Sequence, residues 1–144
     1  MTARQSYHLT FARFSPSLSV RSFSASEAVN TAYRVEITAT STDSSLPLSS
    51  YLNQRAAFDI RPQEGLLSEV VSAFGSASDD PPAKQWQGII TSCEKLSVSK
   101  DETVYRFVLE PRFAALKHFQ TSRLFQHQTV PDIVAAVFKH HGFS

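Results

Sequence analysis

Cysteine is almost missing from this chain. Cys93 stands alone among 144 residues, so no disulfide can close within the chain, and a fold stapled by covalent bridges is excluded. Glycine is nearly as scarce, with four in all. That leaves few places where backbone could cradle a phosphate, and neither a glycine-rich phosphate loop nor a Gly-x-Ser-x-Gly nucleophile elbow is present. Charged residues make up 19% of the chain, and the 14 basic and 13 acidic side chains are interspersed, for a formal net charge of +1. Without a long-range positive field, no nucleic acid partner is expected. No run approaches the roughly 18 apolar residues that a spanning helix needs, so no stable membrane insertion is expected. These features fit a soluble chain made in a reducing compartment.

What the chain has is apolar mass. Hydrophobic residues are 42% of it, 11 of them Phe, which is enough for one packed core and argues against disorder. The opening residues hold Arg4, Arg13 and Arg21 among serines, with no acid before Glu27, a composition shared with transit peptides. Leu9 and Phe11, and then Leu18 and Val20, alternate with polar neighbours, and this favours strands.

The clearest strand is Tyr33 to Thr40, where Tyr33, Val35, Ile37 and Ala39 share one face of an extended chain. Ser41 to Ser50 contains Asp43, Pro47 and five serines and reads as a loop. A second strand puts Ala56, Phe58 and Ile60 on one side and Arg55, Asp59 and Arg61 on the other, and Pro62 ends it. Leu66, Leu67, Val70, Val71 and Phe74 then recur at helical spacing, which predicts a short helix within 64–77, closed by Gly75 and followed by a polar loop to Pro82. Trp86 to Val98 and Val104 to Glu110 are extended again and joined by Ser99 to Glu102, which predicts an antiparallel hairpin with Tyr105, Phe107 and Leu109 on one face. After Pro111, the run Phe113 to Leu116 predicts one helical turn, and Ser122 to Gln126 a brief extended piece. The last element is a helix: Thr129 is placed to cap it, Pro131 and Asp132 suit its first turn, Val130, Ile133, Val134 and Val137 form a stripe, and Gly142 stops it. That stripe has little chain left to cover it before Ser144, so the sequence is expected to be part of a longer protein.

Candidate chemistry is sparse. His140 and His141 are the densest of five histidines, but neighbouring helical residues point about 100° apart and do not share one ion easily. Cys93 lacks a local nucleophile signature, and its sequence position puts it on the strand face opposite Ile90. Glu27 with Arg34, and Asp132 with Arg123, are possible acid and base pairs, though such charges are usually solvated or structural. Trp86 with Tyr105 and Phe107 would be a sugar-binding platform only if exposed, and the period of two assigns Tyr105 and Phe107 to a buried face. No catalytic, cofactor-binding or metal residue is assigned, no cofactor is expected, and binding residues remain unassigned. A carbohydrate- or ligand-binding β module stays open as an alternative of a different class, and a small hydrolase ranks last.

Four segments in order carry a resemblance. SFSASEAVNTAYRVEITATS from Ser22 to Ser41 resembles the opening signature of the VgrG spike proteins of type VI secretion, with Glu27 at that family's acidic position. WQGIIT from Trp86 is similar to its aromatic-x-Gly-Ile-Val-Thr strand, and YRFVLEPRFAAL from Tyr105 to its Tyr-x-Leu-x-Leu-x-Pro-Arg stretch. SRLFQHQTVPDIVAAVFKHHG from Ser122 to Gly142 resembles its Ser-Arg-Ile-Phe-Gln strand and the helix that follows, with Arg123 and Asp132 in the pattern. Ala25 and Val29 depart from the usual Gly and Leu, and 64–82 is longer than the usual connection.

The resemblance implies a mainly β (α+β) fold: an antiparallel β-barrel of the phage tail hub type, with a short inserted helix and a C-terminal helix. It implies a hub-type barrel over 1–128 and, over 129–144, a helix that starts the next subdomain. It implies a structural protein, not an enzyme, that is homotrimeric in its full-length form. Such chains dock on the tube of the haemolysin-coregulated protein, contact baseplate proteins and effectors, assemble in the bacterial cytoplasm and are then secreted or injected. Hub proteins of prophage tails share the barrel and stay open as the sibling alternative.

Overall fold

The computed structural model describes residues 5–62 and 84–143. They fall into two compact units, Met1–Arg112 and Phe113–Ser144. The first holds six strands: β1 (Gln5–Phe11), β2 (Ser19–Ala28), β3 (Thr31–Ser41), β4 (Arg55–Pro62), β5 (Lys84–Val98) and β6 (Thr103–Glu110). A single helical turn, α1 (Leu48–Tyr51), precedes β4. Leu9 and Phe11 lie in β1 and Val20 in β2, as their alternation predicts, while Leu18 lies just before β2; β5 and β6 form the expected antiparallel hairpin.

Every pairing is antiparallel, and the order across the sheet is β1-β4-β5-β6-β3-β2. The two edge strands meet through side chains, with the rings of Tyr7 on β1 and Phe23 on β2 5.2 Å apart. The sheet is therefore curled into an open barrel around its apolar face, which is how a twisted sheet buries one side without a second layer.

The period of two builds the interior. Val35, Ile37 and Ala39 on β3 sit opposite Leu109, Phe107 and Tyr105 on β6, and all six are fully buried. Small Ala39 faces large Tyr105, which fills the layer without overpacking. Each large apolar side chain removed from water contributes about 1.5–3 kcal/mol against the entropy of ordering it. Two groups of rings fill the rest. Phe58 lies 5.0 Å from Phe23 and 5.9 Å from Trp86, and Phe11 and Tyr51 each lie within 6 Å of Phe107, at 5.5 and 5.8 Å.

Turns follow local chemistry. Asn30 takes the left-handed conformation (φ 61) between β2 and β3, a geometry Asn tolerates better than most residues. Ser99 closes the β5–β6 turn by donating its hydroxyl to the Glu102 carbonyl at 2.8 Å and accepting the Glu102 N–H at 3.1 Å.

Several expectations need correction. The expected loop 41–50 is not all loop: α1 begins at Leu48 so that Tyr51, only 3% exposed, can pack against Phe11 and Phe107. Asp59 shares its face of β4 with Arg55 and Arg61, as the alternation predicts, but it is not exposed as they are. It is buried, because Gln85 Nε2 donates to its Oδ1 at 2.7 Å and Arg61 reaches Oδ2 at 3.4 Å. Cys93 does not lie opposite Ile90. A bulge between Ile90 and Ser92 inserts a residue, so Ile90 pairs with Leu109 and Cys93 with Phe107, and both face the core. The helix expected within 64–77 lies outside the described residues.

In the second unit, the turn expected near Phe113 belongs to a 3-10 helix, Arg112–His118. Ser122 to Gln126 is not a strand; it has no ladder partner. Helix α2 (Val130–His140) begins as its residues dictate. The Thr129 hydroxyl accepts the Asp132 N–H, and the Asp132 carboxylate accepts the Thr129 N–H, a reciprocal capping box. It ends in a Schellman turn: Gly142 (φ 73) donates to the Lys139 carbonyl at 3.1 Å and Phe143 to the Phe138 carbonyl at 2.9 Å. The rings of Phe138 and Phe143 pack 5.6 Å apart beside that turn. None of the α2 residues is buried.

Candidate functional site

Glu27 is the acid of the first resembling segment, and its partner differs from the one its sequence neighbours propose. It stands near the end of edge strand β2, and its carboxylate accepts Lys84 Nζ at 2.9 Å and the Trp86 indole N–H at 2.6 Å. Lys84 also lies over the Trp86 ring, 5.0 Å from its centre. In the sheet, β6 and β3 lie between β5 and β2, so these contacts do not belong to a ladder. They latch an edge strand to a central one across the end of the barrel. The Lys84 bond first, and the Trp86 bond second, hold the Glu27 carboxyl below the usual carboxylate range. A carboxylate kept ionised and occupied in this way is poorly suited to general acid or base work. Beside it the Tyr33 hydroxyl donates to the Gln87 carbonyl, and burial, with the Glu27 charge second, pushes that phenol up.

Arg34 is engaged elsewhere. It bonds Glu36 at 3.1 Å and reaches Glu110 at 3.5 Å, so Glu27 and Arg34 are not a pair. Asp132 is committed to the cap of α2, and Thr129 rather than Arg123 takes up its carboxylate. His140 and His141 have their rings 5.0 Å apart at 84°, and among the described residues no group of three or more His, Cys, Asp or Glu could hold a metal ion. Cys93 is half-buried against the core, and burial pushes its thiol up to about 11. Trp86, Tyr105 and Phe107 are all buried, so they present no exposed aromatic platform.

A cleft of about 600 Å³ lies across β1, β4 and β5. Its lining includes Thr10, Ala12, Ala57 and Gln87, with Arg55 and Arg112 among the side chains around it. Sequence reasoning missed it, because its residues come from β1, β4 and β5, which pair only in the folded sheet, and from Arg112 beyond β6. Gly88 lies on the same strand stretch. A Cβ there would meet the Glu110 carbonyl oxygen at 2.1 Å, so only glycine fits.

The fold has known counterparts. The family model for the phage tail baseplate hub (GPD) matches residues 26–144. The type VI secretion system spike protein VgrG4b of Pseudomonas aeruginosa is 30% identical over 125 residues, which is 87% of this chain and 13% of that protein. VgrG1b of the same organism is 32% identical over 83 residues, 58% of this chain and 11% of that protein. The chain thus spans a small part of the curated relatives it matches. Among solved structures, the E. coli c3393 protein superposes with a TM-score of 0.74 at 26% identity, over 95% of this chain and 33% of that one. That protein is described as a component of the type VI secretion system with structural similarity to the T4 bacteriophage tail proteins gp27 and gp5. The curled antiparallel sheet and the span of the family match lead to one conclusion: the chain belongs to the phage tail baseplate hub family and is VgrG-like.

Proposed function

We propose that this chain is the N-terminal part of a trimeric spike of a type VI secretion machine, a structural piece that helps join the spike to the tube. The observation that carries this is the likeness of its curled six-stranded sheet, over 95% of its length, to a type VI secretion component. In this proposal residues 1–128 form one hub barrel and 129–144 open the next subdomain of a longer parent. Two such barrels per subunit in a trimer offer six similar surfaces to a hexameric tube of the haemolysin-coregulated protein. The parent is assembled in the cytoplasm and then expelled with its effectors. The proposal assigns no bond-making step to the chain.

The test is to purify the full-length product of the parent gene and add the tube protein encoded in the same genome. Native mass measurement is expected to give a trimer, and electron microscopy a six-lobed ring seated on the tube. A full-length product that stays monomeric and does not retain the tube protein overturns the proposal. The family match, named for phage tail hubs, also favours a second reading as a prophage tail hub. Deleting the parent gene separates the two: loss of secreted tube protein supports the spike, and loss of phage particles supports the tail hub.

A further inference from the structure

The cleft across β1, β4 and β5 is explained neither by the core nor by the latch at Glu27. Its lining takes in residues of both strand faces, and the exposed ones, Thr10, Ala12, Arg55 and Gln87, mark the side on which it opens. Phe11, Ala56 and Gly88 align across the three strands, as do Thr10, Ala57 and Gln87 one position away. Phe11 and Ala56 belong to the core cluster, so Thr10, Ala57 and Gln87 lie on the opposite, outer face of the sheet. Ala57 and the neighbouring Ala12 are short, and longer side chains surround them. The depression follows from side-chain size on a regular sheet.

Among the described residues that line it, Arg55 and Arg112 are charged and none is Asp or Glu. Arg55 is exposed and has no acidic partner among the described residues. Such a guanidinium beside a small apolar floor is a preformed fork for a carboxylate, which it holds through two parallel N–H donors. We infer that this cleft docks an extended, acidic segment of a partner protein, with a carboxylate on Arg55 and a small apolar side chain over Ala57.

A polypeptide suits the site better than a small molecule or a nucleic acid. Drug-sized ligands are held in cavities that bury most of their surface, and this floor is an open sheet face. It spans three strands, roughly 10 Å at the usual strand spacing, wide enough for one extended chain. Nucleic acid binding draws on a broad positive field, and the chain carries a formal net charge of +1. The inference does not rest on the hub proposal, because the site lies within one chain and needs no trimer.

The experiment uses the 144-residue chain and a fluorescein-labelled peptide, Ser-Glu-Val-Asp-Val-Glu-Ser, followed by fluorescence anisotropy at low and physiological salt. A control peptide replaces each acid by its amide, and a single-stranded oligothymidine of equal charge is the third probe. The acidic peptide is expected to bind, with the amide control at least tenfold weaker. Arg55→Glu is expected to weaken binding by roughly tenfold or more, Arg55→Lys by less, and Ala57→Leu to weaken it by filling the floor. Thermal melts establish that each variant is folded. Equal binding of the acidic and amide peptides, tighter binding of the oligonucleotide, no binding at all, or folded Arg55→Glu and Ala57→Leu variants that bind like the parent each overturn the inference.

Discussion

Gly88→Ala sets two opposed effects against each other. Alanine restricts the unfolded chain, which by itself would stabilise the protein by about 0.4–1 kcal/mol. In the folded sheet, however, the new Cβ meets the Glu110 carbonyl oxygen at 2.1 Å and its carbon at 2.8 Å. Non-bonded heavy atoms sit near 3.5–4.0 Å, so β5 and β6 must separate by roughly 1 Å. The obstacle is backbone, and it follows Leu109, which is fully buried, so it cannot swing aside as a flexible side chain would. Overpacking of this kind costs about 1–3 kcal/mol, and the net effect is a loss of about 1–2 kcal/mol. Urea slopes for small proteins are about 1–3 kcal/mol per molar, so the midpoint should fall by roughly 0.5–1 M at unchanged slope. Trp86 is the single tryptophan and is buried, so its fluorescence follows the transition directly. A midpoint equal to or above that of the parent would refute the reasoning.

Other perturbations address the core, the latch and the thiol. Phe58→Ala removes a fully buried ring between Phe23 and Trp86, and urea unfolding should show a loss of about 3–5 kcal/mol. Glu27 is held below its ordinary value of 4.5 in the folded protein, so its contribution is present above that value and disappears as pH falls through the folded one. Glu27→Gln should therefore flatten the acid limb of the melting-temperature profile, and an unchanged limb would remove the latch from the explanation. Cys93, with its thiol pushed up to about 11, stays protonated in the folded chain at pH 8. Iodoacetamide should modify it far more slowly than in urea, and the stability it supports should be complete below the ordinary thiol value and fade as pH rises through about 11. Equal labelling rates in the folded and unfolded chain would contradict this.

Strands β3, β4 and β6 were legible because each alternates small or large apolar residues with polar ones, and burial of one face requires that period. The α2 cap was legible for a different reason: Thr129, Asp132 and Gly142 act on backbone within a few residues of themselves. Strand β2 was only partly visible, since an edge strand with most residues exposed leaves a weak apolar pattern. Cys93 was assigned to the wrong face because one bulge shifts the parity of everything beyond it. The burial of Asp59 was not legible because its partner, Gln85, lies on another strand.

The sequence by itself determined the strand-rich class, the polar turns, the capped terminal helix and, through four ordered segments, the VgrG-like resemblance. All of these depend on interactions between near neighbours or on residue order. Only the tertiary structure decided that Glu27 is held by Lys84 and Trp86, 57 and 59 residues away, that Gly88 must leave room for Glu110, and that separate segments of the chain form one cleft whose lining includes Arg55 and Arg112. These contacts exist only after the sheet has curled and its register is set, and no local period in the chain encodes which distant residue will lie across from which.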